Sequence, residues 1–145
     1  MIDPSNVPPI AENELLARFI VNSNETRSDG TVKPKLFLPY SRVELSVNRH
    51  REASLDETWS VGTAVARERK KSLYGRADIR ASSCRIDSLQ VIPKPIFPTN
   101  PNHADITGYP LKKEDQMSLA EKLAASIEGK WIVTPDEFRS MEASE

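Results

Sequence analysis

Val43-Glu44-Leu45-Ser46-Val47-Asn48-Arg49-His50 alternates apolar and polar residues, and shortly after it Ser54-Leu55-Asp56-Glu57 opens a stretch with a different period. Successive side chains of an extended chain point to opposite faces. Val43, Leu45 and Val47 therefore share one face, and Glu44, Ser46, Asn48 and His50 the other, the pattern of a half-buried strand. Ser54 and Glu57 fit a capping box, in which the serine side chain accepts from the Glu57 N–H and the glutamate reaches back to the cap N–H. Leu55, Trp59, Val61, Val65 and Ala66 then fall on one side of a helix that runs through about Lys70. Gly62 lies on that side at a cost of about 1 kcal/mol relative to alanine, and a close approach to another backbone would account for it.

Outward from this pair, the pattern repeats. Arg76 to Ser82 alternates, with Ala77, Ile79 and Ala81 opposed to Arg76, Asp78, Arg80 and Ser82. Ser88 to Ile92 and His103 to Thr107 read as further strands, the last with His103, Asp105 and Thr107 on one face and Ala104 and Ile106 on the other. Between them, Pro93 to Pro101 is a proline-rich loop. Glu114 and Asp115 suit a helix N-terminus, Met117, Ala120, Leu123, Ala124 and Ile127 line its apolar side, and Gly129 is placed to end it. Glu12 to Val21 is too short for periodicity to decide between helix and strand. Thr134-Pro135-Asp136-Glu137 caps a last short helix, with proline tolerated at its first position.

This order predicts an α+β fold, a small, mostly antiparallel sheet covered on one face by two amphipathic helices. The polar strand faces would then lie opposite the helices. A chain of 145 residues with 38% apolar composition supports one core. Residues 1–10, with three prolines, are expected to form a flexible arm, 11–130 the domain, and 131–145 an acidic segment carrying the short helix.

The formal net charge of -1 argues against a general polyanion binder, although charge is unevenly spread. Residues 65–85 hold seven basic residues against Glu68 and Asp78, whereas 114–145 hold eight acidic residues against three basic ones. A lone cysteine, Cys84, cannot make an internal disulfide, which points to a reducing compartment. No apolar run approaches the roughly 20 residues of a membrane span, and the first residues lack signal-peptide regions. A cytoplasmic protein is expected, with no membrane partner.

The candidate chemistry is concentrated on the polar strand faces. His50 and His103 supply general acid and base, and Arg76 could stabilise charge on phosphate oxygens. Asp105 is two residues from His103 on one face, about 7 Å, and so is not expected to orient it; Asp78 on a neighbouring strand could. Tyr74, Arg80, Asp105, Thr107 and Trp131 are the candidate contacts to a substrate or partner, Tyr74 by stacking on a base and Trp131 as an exposed anchor. Two histidines more than fifty residues apart, with no His-x-x-x-His or Cys-x-x-Cys, do not make a metal site. No Gly-x-Gly-x-x-Gly or Walker loop occurs, and no cofactor is expected. Ser82, Ser83 and Cys84 are weaker nucleophile candidates, since no adjacent histidine or helix N-terminus is implied.

Leu45-Ser-Val-Asn-Arg49, Trp59-Ser-Val-Gly62, Leu73-Tyr-Gly-Arg-Ala-Asp78 and His103-Ala-Asp-Ile-Thr-Gly-Tyr-Pro110 resemble segments of a group of short bacterial proteins with no assigned activity. The likeness spans about residues 33 to 125. It implies a setting among mobile-element or host-defence genes and transfers no functional residue. Two function classes follow. The first is a non-catalytic accessory module whose partner is another protein, with nucleic acid as the less favoured partner. The second is a small metal-independent enzyme acting on RNA or a nucleotide phosphodiester through His50, Arg76, Asp78 and His103.

Overall fold

In the computed structural model, which describes residues 7–39 and 43–138, the chain forms a six-stranded antiparallel sheet with helices on both sides. The strands are β1 (Leu15–Ile20), β2 (Leu45–Arg49), β3 (Gly75–Arg80), β4 (Gln90–Pro93), β5 (His103–Thr107) and β6 (Ile132–Val133). The helices are α1 (Leu55–Glu68), the single turn α2 (Ala81–Cys84) and α3 (Lys113–Ala124). Sheet order is β4-β5-β2-β1-β3-β6, with every neighbouring pair antiparallel. The α+β class and the antiparallel sheet match the sequence pattern.

Local signals explain most of these elements. Ser54 caps α1, its hydroxyl accepting from the Glu57 N–H at 3.1 Å while the Glu57 carboxylate accepts from the Ser54 N–H at 3.0 Å. The alternation over 43–50 yields β2, and that over 103–107 yields β5. β1 is the central strand, buried on both faces, which is why its sequence is a near-continuous apolar run rather than an alternating one. α3 stops at Ala124, earlier than Gly129, which takes its positive φ of 67° in the loop that follows.

The two long helices lie on opposite faces of the sheet, not on one. α1 buries Trp59 and Ala66 against Ala17, Phe19 and Val21, whereas α3 buries Leu119, Ala120 and Leu123 against Leu16, Ile20 and Ile106. Topology gives the reason. β2 and β3 both run antiparallel to β1, so α1 must cross over β1 to join them. α3 likewise carries the chain from β5 to β6 in the same direction across the sheet. Because β2 and β5 point opposite ways, crossovers of one hand put their helices on opposite faces. The polar strand faces consequently lie partly beneath α1. Gly62 does admit a close neighbour, but it is the Phe19 ring: a Cβ there would stand 2.7 Å from Phe19 Cε1.

Both ends of the described chain join this frame. The carbonyls of Pro8 and Pro9 accept from Arg49, and Ile10 is buried in the core. β6 pairs with β3, residues 136–138 are helical, and Phe138 packs 6.5 Å from Trp59. The rest of the expected arm and acidic segment, residues 1–6 and 139–145, lies outside the described residues.

Candidate functional site

Directly opposed residues of an antiparallel pair share a face. The registers Ala17↔Asp78, Ala17↔Asn48 and Asn48↔His103 therefore put Asp78, Asn48 and His103 in one row across four strands, on the α1 face. His50 lies on the same face, one position beyond the row. Its Nε2 donates to Asp78 Oδ1 at 2.9 Å, and Arg76 Nε donates to the same oxygen at 3.1 Å. Burial works to raise the Asp78 carboxyl, but the His50 hydrogen bond and the charges of His50 and Arg76 outweigh it and hold the group below its ordinary value. The Arg76 guanidinium also stacks 4.6 Å from the centre of the Trp59 ring. Three of the four candidate catalytic residues thus meet, and their mutual pairing and burial make them a cross-strand strut under α1.

His103 stands apart from that cluster. Asp78 is bonded to His50 and so does not orient it. The His103 Nδ1 lies 2.9 Å from the Lys94 carbonyl, which can only accept, so Nδ1 donates there. Asp105 comes nearer than strand spacing suggests, 3.8 Å from Nε2, because the two side chains lean together, but that exceeds a hydrogen bond. His103 lines a groove of about 300 Å³ on the α1 face that includes neither His50, Arg76 nor Asp78. An acid–base pair of the two histidines is therefore not assembled.

The groove arises because β1 and β2 part. Their ladder holds only Leu16↔Arg49 and Ala17↔Asn48, and beyond it Arg18 reaches across the gap, Nη1 donating to the Ser46 carbonyl at 3.0 Å and Nε to the Leu36 carbonyl at 2.9 Å. One wall is α1, through Val61, Ala64 and Val65; the other is the β4–β5 loop, through Ile96, Thr99 and Asn100. That loop is fixed by paired backbone bonds between Ile96 and Asn100, at 2.9 and 2.7 Å, and by the reciprocal amide pair of Asn48 and Asn100. It leaves Ile96, which lines the groove, 48% exposed, and Phe97, next to it in sequence, 53% exposed. Sequence reasoning passed over these residues. Two signals were present: an arginine inside an apolar strand, and large apolar residues inside a proline-rich loop.

The other candidates scatter. Tyr74 is exposed where β3 begins, whereas Arg80 closes β3 at the far end, donating to the Asn13 carbonyl at 2.6 Å. Arg67, Arg69, Lys70 and Lys71 cluster at the end of α1, so Arg80 is not part of their patch. Trp131 is partly buried over Gly75, its Nε1 donating to the Arg27 carbonyl at 3.3 Å, and Thr107 pairs with Gln90 in the sheet. Cys84 is fully buried, and burial pushes its thiol up to about 12, the reverse of an activated nucleophile. Comparison with protein-family models, with curated proteins and with solved structures finds no match to this chain.

Proposed function

We propose that this chain is a non-catalytic accessory module that binds another protein, in the cytoplasm of a bacterial system associated with mobile elements or defence. The carrying observation is the exposed pair Ile96 and Phe97, the first lining an apolar-walled groove and the second adjacent to it in sequence. Exposed apolar side chains clustered at a concavity are what a partner can desolvate. The setting rests on the segment resemblance. The test is to purify the partner that co-isolates with the chain and titrate it against Phe97→Asp and, as a distant control, Leu111→Asp. At least a tenfold loss with the first and none with the second is expected. Equal binding by both variants would overturn the reading.

A second reading, a small enzyme acting on RNA or a nucleotide phosphodiester, is favoured by one observation: His103 lines the groove with its Nδ1 held by the Lys94 carbonyl, which orients the ring. It calls for turnover across RNA, DNA and nucleotide panels, with and without metals, that His103→Ala abolishes and His50→Ala does not.

A further inference from the structure

We infer that the groove takes an extended peptide segment of the partner, apolar at alternate positions and acidic at one end, which pairs by its main chain with the open edges of β1 and β2. This rests on the module reading. Three observations point to that occupant.

The first is the unclosed ladder. The Leu15 carbonyl accepts from His50 N–H and so faces β2, and the Ile20 carbonyl accepts from Tyr74 N–H and so faces β3. By alternation Ala17 and Phe19 face β2. No ladder pair joins the strands beyond Ala17↔Asn48, so the main-chain groups of Phe19 and the N–H of Ser46 point into the groove. Such groups favour a main chain as ligand, as in strand addition at a sheet edge. The Ser46 carbonyl is already taken by Arg18 from below, which gives the groove a floor and stops β1 and β2 from zipping closed.

The second is the spacing of its walls. Val61 and Val65 are one helical turn apart on one side and Ile96 stands on the other. A strand repeats its side-chain direction every two residues, roughly 6.6–6.8 Å, and a helical turn rises about 5.4 Å. Alternate apolar side chains can thus seat against successive valines, and a groove of about 300 Å³ has room for only a few of them.

The third is charge. Arg69 lines the groove beside Glu68, Arg67, Lys70 and Lys71 continue beyond it at the end of α1, and Glu25, whose carboxyl feels the charge of Arg69, is buried, so the exposed balance at this end is basic. An acidic flank on the peptide complements this end.

The test selects a random heptapeptide display library against the full chain and then synthesises one enriched peptide, acetylated and amidated. Enrichment of β-branched or leucine residues at alternate positions, with aspartate or glutamate at one end, is expected. N-methylating two alternate amides should weaken binding at least tenfold, and methylating the intervening amides no more than about twofold. Ala64→Arg, at an exposed wall position outside the core, should abolish binding. Arg69→Glu should weaken it, with recovery when the peptide's acidic residues become lysine. No enrichment, helical spacing in the selected peptides, indifference to methylation, or full displacement by single-stranded RNA overturns the inference. If the purified partner is lost with Phe97→Asp while methylation has no effect, the inference fails and the module reading stands. If the partner binds Phe97→Asp unchanged, both fail.

Discussion

His50, the residue after β2, and Asp78 on β3 lie on either side of β1, yet Nε2 and Oδ1 are 2.9 Å apart: the contact crosses β1 diagonally, since Asp78 is opposed by Ala17 whereas the Leu15 carbonyl accepts from His50 N–H. The pairing sets a pH dependence. Asp78 is held below its unfolded range, so its contribution is present above the unfolded pKa of about 3.9 and is lost as pH falls through the lower folded value. Asp78→Asn should cost about 1.5–3 kcal/mol at pH near 7 and lose less further stability on acidification than the wild type does. Denaturant midpoints near neutrality and at about pH 3.5 check this. Identical acid sensitivity in both proteins would contradict it.

Helices on opposite faces should behave as independent supports. Leu123→Ala, under α3, should cost about 2–5 kcal/mol, and Trp59→Phe, under α1, about 0.5–3 kcal/mol. Since the two side chains belong to separate core clusters, the double variant should equal the sum within about 0.5 kcal/mol. Coupling above about 1 kcal/mol in equilibrium unfolding would place them in one core.

What the sequence made legible follows from how local each cause is. The Ser54–Glu57 box and the alternation of β2 and β5 involve neighbours only, and both appear as read. β6, two residues long, exists through its pairing with β3 and carries no pattern of its own. The helix faces depend on strand order, which no single segment encodes. The same holds for the site: His50 and His103 share a strand face, but register places His103 beside Asn48 in a groove that excludes His50. That groove exists because Arg18 holds a long-range gap open, a relationship among β1, β2 and Leu36 that periodicity cannot express.

Gly62→Ala separates helix propensity from packing. In a helix interior alanine is favoured by about 1 kcal/mol, but the new Cβ would meet the buried Phe19 ring at 2.7 Å and Leu73 Cδ2 at 3.0 Å. A net loss of about 1–3 kcal/mol is expected, and in a Phe19→Ala background most of that loss should vanish. A thermal melt showing Gly62→Ala stabilised in the wild-type background would contradict this packing.

Cys84 reports global opening. Fully buried and with its thiol pushed up to about 12, it should resist a thiol reagent at neutral pH and react in proportion to the unfolded population. Labelling as fast in buffer as in denaturant would show an accessible thiol instead.

On the proposed function, the α1 side of the sheet takes a protein in the groove between α1 and the β4–β5 loop. This is tested most directly by placing a photo-crosslinking amino acid in turn at Ile96, at Ala64 and, on the opposite face, at Met117, all exposed positions, and irradiating intact cells. Ile96 and Ala64 are expected to capture the same single protein, and Met117 is not. Capture from Met117 alone, or none from Ile96 and Ala64 together with His103-dependent turnover of RNA by the purified chain, would contradict it.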